Sequence, residues 1–211
     1  MTPPKIQVDP LDKAGIRGFL HRPAEGAQGG IVLTHGAGYD CTAPVLLVTA
    51  NALASAGWTV LRCDLPFRQR RRRGPPHPGD GAGDRAGLRI AADMLRELVG
   101  ADVMLGGHSY GGRQASMLVA EEPAAATGLL LLSYPLHPPD KPDQLRIQHF
   151  AQLRAPSIFV HGAADPFGTI AEMKQAIAAI PAPARLIAIE GAGHDLGGAG
   201  FRPDPVVAAL R

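Results

Sequence analysis

Short apolar runs alternate along this chain with longer stretches in which apolar residues recur every three or four positions. The runs are Ile31–Thr34, Trp58–Arg62, Val103–Leu105, Gly128–Leu132, Ser157–Val160 and Arg185–Ile189. Each has the length of a strand, and most are continuously apolar, as expected where helices cover both faces of a sheet. The longer stretches predict helices at Pro44–Ala56, Asp84–Val99, Gln114–Glu121 and Pro205–Leu210. A further helix is marked by Ile170, Met173, Ile177 and Ile180 and stopped by Pro181. Within Asp84–Val99, Leu88, Ala91, Leu95 and Leu98 share one face. Lys5–Val8 and Gly15–His21 predict an opening antiparallel pair. Strands alternating with helices predict an α/β fold, a mostly parallel sheet flanked by helices. No repeat or linker divides the chain, so residues 1–211 read as one domain. The connection from Leu132 to Ser157 is too short for a separate lid domain.

Composition supports a single core and narrows the function. The chain has 211 residues, 45% of them hydrophobic and only 5% aromatic, so the core is built from Leu, Val, Ile and Ala. A net charge of +2 predicts no bulk attraction to nucleic acid or membrane. No apolar run reaches the length of a membrane span. The first ten residues lack the apolar centre of a signal peptide. Cys41 and Cys63 form neither a disulfide framework nor a metal spacing. The expectation is a cytoplasmic protein with free thiols and no metal or other cofactor.

The candidate chemistry lies after the strands, where ligands bind in such a sheet. Gly107-His-Ser-Tyr-Gly111 follows one strand and precedes a helix. Strand, G-x-S-x-G, helix is the setting of a nucleophile elbow, a tight turn that exposes the central serine. Asp165 follows the next strand but one, and His194 lies in a glycine-rich loop after the last. The chain order Ser109, Asp165, His194 suits nucleophilic catalysis. The serine needs a base to take its proton, and the base needs a carboxylate to hold its tautomer. Asp195 is a rival to Asp165, but it adjoins His194 and would need an unusual turn to reach the ring. His35-Gly-Ala-Gly38 follows the first parallel strand. The amides of Ala37 and Tyr110 are therefore the expected oxyanion donors. Taken singly, each residue has a plainer role: Ser109 a helix cap, Asp165 a turn before Pro166, His194 a solvated loop residue. His35 and His161 are expected to brace loops.

Five segments resemble the KANL/Tex branch of the α/β-hydrolase superfamily, which is related to dienelactone-hydrolase-like proteins. They are Leu33–Gly38, Asp64–Arg68 with the basic stretch after it, Gly106–Arg113, Leu132–Pro142 and Val160–Gly168. The stretch Ser-Tyr-Pro-Leu-His-Pro-Pro is the most specific, since G-x-S-x-G is shared by the whole superfamily. The resemblance implies an alpha/beta-hydrolase fold with Ser109, Asp165 and His194 in the triad positions. It supplies no substrate. Dienelactone hydrolases use a cysteine nucleophile, which this chain lacks at Ser109. Some eukaryotic relatives belong to chromatin-associated complexes, so a catalytically idle interaction domain is the alternative to a serine hydrolase of small esters or thioesters.

Arg68-Gln-Arg-Arg-Arg-Arg73 holds five arginines in six residues, and without them the net charge would be negative. This segment follows a strand, so it belongs on the catalytic side. One reading is a solvated loop. The sharper one is an electropositive rim of Arg70, Arg71, Arg72 and Arg73 that attracts an anionic ester. No aromatics are interleaved with the arginines, which argues against nucleic acid as a partner. A third reading, nucleotide binding with Asp64 as a ribose ligand, is weakened by Cys41 where the third glycine of the phosphate turn belongs.

Overall fold

The structure, a computed structural model, describes residues 6–210. Eight strands form one sheet: β1 (Gln7–Lys13), β2 (Ile16–Arg22), β3 (Gly29–Thr34), β4 (Trp58–Cys63), β5 (Val103–His108), β6 (Leu129–Leu132), β7 (Ser157–Gly162) and β8 (Ala184–Ile189). Their order is β1-β2-β4-β3-β5-β6-β7-β8. β1 and β2 run antiparallel to their neighbours, and all pairs from β4 to β8 are parallel. The helices are α1 (Pro44–Ser55), α2 (Pro66–Arg70), α3 (Asp80–Val99), α4 (Tyr110–Glu121), α5 (Ile170–Ile177) and α6 (Asp204–Ala209). None of them is long and apolar enough to cross a membrane.

The strands are apolar throughout because both faces of the sheet are covered. Along β6, Leu129 and Leu131 enter the core under α3, α4 and α5. Leu130 and Leu132 enter the core under α1 and α6. The same alternation places Val32 on the first side and Ile31 and Leu33 on the second. This period of two is a property of the pleat, so a one-residue slip would exchange the two cores.

Several elements differ from expectation for local reasons. The first strand was expected to start at Lys5, which lies outside the described residues. It runs on to Lys13, because Pro10 sits on an edge strand where a missing N–H breaks no ladder. A two-residue turn, Ala14-Gly15, joins it to β2 with both φ angles positive (54° and 77°). The arginine-rich stretch begins as α2, started by Pro66 at its first turn. α3 begins at Asp80 rather than Asp84. α4 starts directly at Tyr110, and α5 ends at Ile177 while Ile180 is buried in the turn beyond it.

The topology decides where a site can lie. From β3 the chain passes to β4 on one side, then returns to β5 on the other. The carboxyl ends of β3 and β5 therefore diverge into helices on opposite faces and leave a crevice between them. Ala37 follows β3 and Ser109 follows β5.

Leu131 is fully buried at the centre of the sheet. Leu131→Ala is expected to lower the unfolding free energy by about 2–5 kcal/mol in urea titrations, through lost burial and a residual cavity.

Candidate active site

Ser109 stands at the junction of β5 and α4 with φ 52° and ψ −117°. This backbone state is costly for a residue with a Cβ and persists only where the surroundings enforce it. Two glycines provide the room. A Cβ on Gly107 would meet Thr34 O at 2.4 Å, and one on Gly111 would meet His35 O at 2.6 Å. The Ser109 amide donates to Leu132 O (2.8 Å), and its carbonyl accepts from Arg113 N (3.0 Å).

The three predicted residues meet. His194 Nδ1–H donates to Asp165 Oδ2 (2.8 Å), with Oδ1 at 3.0 Å. That tautomer leaves Nε2 as the acceptor for the Ser109 hydroxyl at 2.8 Å. Asp165 is buried, and its Oδ1 also accepts from Phe167 N (2.9 Å). The Phe167 ring lies over the imidazole at a centroid distance of 4.2 Å. Asp195 is exposed and accepts from Gly197 N (3.0 Å), so it closes the turn after His194.

The site amides are free. Neither Ala37 N–H nor Tyr110 N–H has a protein acceptor among the described residues. Tyr110 N–H is one of the unpaired donors at the start of α4, where the helix dipole also favours negative charge. Its side chain is anchored through its hydroxyl, which donates to Asp84 Oδ2 (2.8 Å). Asp84 accepts from Phe67 N as well (2.9 Å), and burial pushes its carboxyl up.

Three other histidines position the loops. His35 accepts from Leu65 N (3.1 Å) at Nε2, so its Nδ1–H donates to Gly36 O (2.9 Å). His161 Nε2–H donates to Gly168 O (2.7 Å), and His108 Nε2–H donates to His194 O (2.7 Å). Burial lowers all three and pushes His108 down to about 4, which keeps it neutral.

A model of the Alpha/beta hydrolase domain family matches residues 27–200. This chain belongs to the alpha/beta-hydrolase family. Solved alpha/beta hydrolases share its fold. Dienelactone hydrolase from Anabaena variabilis is 23% identical with a TM-score of 0.70, over 99% of this chain and 94% of that one. An alpha-beta serine hydrolase homologue from Coxiella burnetii is 17% identical with a TM-score of 0.68, over 97% and 93%. Est1E from Butyrivibrio proteoclasticus, solved with ferulic acid bound, is 16% identical with a TM-score of 0.73, over 96% of each chain.

In this alpha/beta hydrolase the arginine segment, expected as a substrate rim, lies outside the lining of the cavity beside Ser109. Arg70 and Arg71 pair with Asp80 (2.8 and 2.6 Å) and tie α2 to the start of α3. Arg72 lines a separate depression with Arg17 and Asp64. None of Arg70, Arg71, Arg72 and Arg73 lines the cavity beside Ser109. Asp64, the candidate ribose ligand, is engaged by Arg17 (2.8 Å) and by Cys41 N (2.7 Å). Both thiols are buried, with Cys41 pushed up to about 12, so neither is a nucleophile.

Arg68 has a different role from its neighbours. Its guanidinium is buried and donates to Tyr39 O (2.7 Å), Ala37 O (2.8 Å), Gly74 O (3.0 Å) and Arg71 O (3.2 Å). Four carbonyls replace water around this charge and fix the loop that carries the Ala37 amide. The segment's charge was visible in sequence, but this one inward turn was not. The cavity itself, of about 540 Å³, has Arg85, Arg113 and Arg146 in its wall. Of these only Arg113 carried a sequence signal, four residues after Ser109 in the segment that follows the elbow.

Arg68→Met is expected to cost at least about 2 kcal/mol in urea unfolding, because it strands several buried acceptors. Buried His21 and His108 and half-buried His149 all have pKa values lowered to about 4, chiefly by desolvation. Each binds fewer protons folded than unfolded, so stability is complete above the ordinary value of about 6.5 and falls as pH drops toward 4. The urea midpoint is expected to decrease from pH 7 to pH 5.

Proposed function

We propose that this chain is a serine hydrolase that cleaves a small ester or thioester through an acyl-enzyme intermediate. The observation that carries the reading is the continuous hydrogen-bonded series Ser109–His194–Asp165, with Ser109 lining one cavity together with Ala37 and Tyr110, whose amides have no acceptor among the described residues. The Ser109 Oγ attacks the carbonyl carbon as His194 Nε2 takes its proton. The carbonyl electron pair moves to oxygen, where Ala37 N–H and Tyr110 N–H receive it. Asp165 stabilises the imidazolium that forms. Collapse breaks the bond to the leaving alcohol or thiol, which takes the proton from His194. Water then repeats the sequence, attacking the acyl carbon and giving its proton to His194. The carboxylic acid leaves and Ser109 Oγ regains its hydrogen.

The idle-domain alternative accounts less well for Ser109. A binding scaffold has no use for a serine held in a strained conformation, beside two residues of the same cavity whose amides have no acceptor among the described residues. The structural neighbours named as a dienelactone hydrolase and as an esterase domain from Rhodothermus marinus favour ester chemistry. Two buried free thiols suit a reducing compartment, and we place the protein in the cytoplasm.

A fluorophosphonate probe is expected to label Ser109 covalently, as found by peptide mapping, and Ser109→Ala should remove the label. Folded protein without an adduct, or with one at another residue, would overturn the reading. Asp165→Asn is expected to lower kcat by about 10⁴-fold through the wrong imidazole tautomer. Asp195→Asn is expected to change kcat by less than about tenfold. The reverse ranking would reassign the carboxylate.

A further inference from the structure

The cavity beside Ser109 contains more positive charge than its surroundings neutralise. One wall is a face of α4 formed by Tyr110, Arg113, Gln114 and Met117, at helical spacings of three and four. Pro75–Pro78 and Arg146 line it as well. Arg85 is satisfied, since its Nε donates to Glu121 (2.9 Å) and its guanidinium to Gln114 Oε1 (3.1 Å). Arg113 and Arg146 have no carboxylate partner among the described residues. The Arg113 Nε is buried without any hydrogen-bond acceptor.

Both side chains spring from anchored backbone. Arg113 sits one turn into α4, with its amide bonded to Ser109 O. The loop bearing Arg146 is fixed by Tyr134, whose hydroxyl donates to Arg146 O (2.6 Å), and by Arg146 N donating to Leu136 O (2.8 Å). Tyr134 and Leu136 belong to the Ser-Tyr-Pro-Leu-His stretch, so that stretch sets the position of this arginine. The two cations feel each other: burial, then the charge of Arg113, lowers the hold of Arg146 on its proton. His149, beneath the same wall, is pushed down to about 4 by burial and then by Arg113 and Arg85. Two half-buried arginines in the lining of one cavity, with an unpaired Nε–H on Arg113 and no carboxylate partner among the described residues, suit an anion.

We infer that Arg113 and Arg146 form an anion subsite, and that the preferred substrate is an ester or thioester carrying a carboxylate or phosphate group. The catalytic half of this statement rests on the serine-hydrolase reading, whereas the binding half does not.

The test compares 4-nitrophenyl hydrogen adipate with its neutral counterpart, 4-nitrophenyl hexanoate. In parallel, calorimetry measures binding of adipate and of inorganic phosphate. The anionic ester is expected to be favoured in kcat/KM by about 10- to 100-fold, the range of charge-assisted hydrogen bonds. That ratio should collapse toward one in Arg113→Gln and in Arg146→Gln, and stay at the parent value in Arg70→Gln. Cleavage of both esters at the same kcat/KM, with neither anion binding, would overturn the subsite and leave the hydrolase reading intact. If neither ester is cleaved and Ser109 takes no label, the hydrolase reading fails and calorimetry alone decides. Binding of adipate or phosphate that is lost in Arg146→Gln upholds the subsite, and no binding by the parent overturns it. The anion bound more tightly identifies the group.

Discussion

A single backbone constraint organises this molecule: Ser109 must turn the chain from β5 into α4 with a positive φ. The state costs on the order of 1–3 kcal/mol and exists only because its neighbours leave no alternative. Gly107 and Gly111 let the turn press against Thr34 and His35 at the end of β3, closer than any Cβ would allow. Strand β6 receives the Ser109 amide through Leu132 O, and α4 begins at the next residue. The serine hydroxyl, the helix N-terminus and the loop after β3 are thereby brought to one point. That point coincides with the crevice where the strand order reverses, so topology and local strain serve the same site.

The loops that supply the other groups are held by buried, neutral side chains rather than by chain rigidity. His108 reaches across to the carbonyl of His194, and His161 secures the Gly168 carbonyl beyond Asp165. Phe167 stacks on the imidazole that its own amide helps to orient through Asp165. These contacts tie loops from β5, β7 and β8 together. A 1 Å displacement of any reacting group is enough to cost about 10²-fold in rate, which is why so many supports converge here.

Arginine takes several separate roles within a short distance, and environment alone distinguishes them. Arg68 is solvated by four carbonyls and holds the Ala37 loop. Arg70 and Arg71 neutralise Asp80 and start α3. Arg113 and Arg146 face the cavity uncompensated. A count of charges along the chain cannot separate these cases, because net charge is a sum and a site depends on which partners are within reach.

The sequence by itself determined the layers of the fold and the three side chains that meet at the candidate site. Periods of two and near four are local, and the short, continuously apolar Leu129–Leu132, placed between helix-period segments, reads as a strand covered on both sides. Gly107-His-Ser-Tyr-Gly111 was legible because the elbow needs small residues at fixed offsets, and Asp165 and His194 because each follows a strand end. The extension of β1 through Pro10 depended on its being an edge strand, a fact of sheet order rather than of composition. The contiguity of arginines 68–73 suggested one rim, yet α2 turns Arg68 inward and Asp80 captures Arg70 and Arg71. Arg146 left no trace in sequence, because its place in the cavity comes from the Tyr134 hydroxyl bonding its carbonyl across 12 residues. Elements and turn chemistry are set by neighbours along the chain, whereas the fate of a charge is set by partners that only the folded chain brings near.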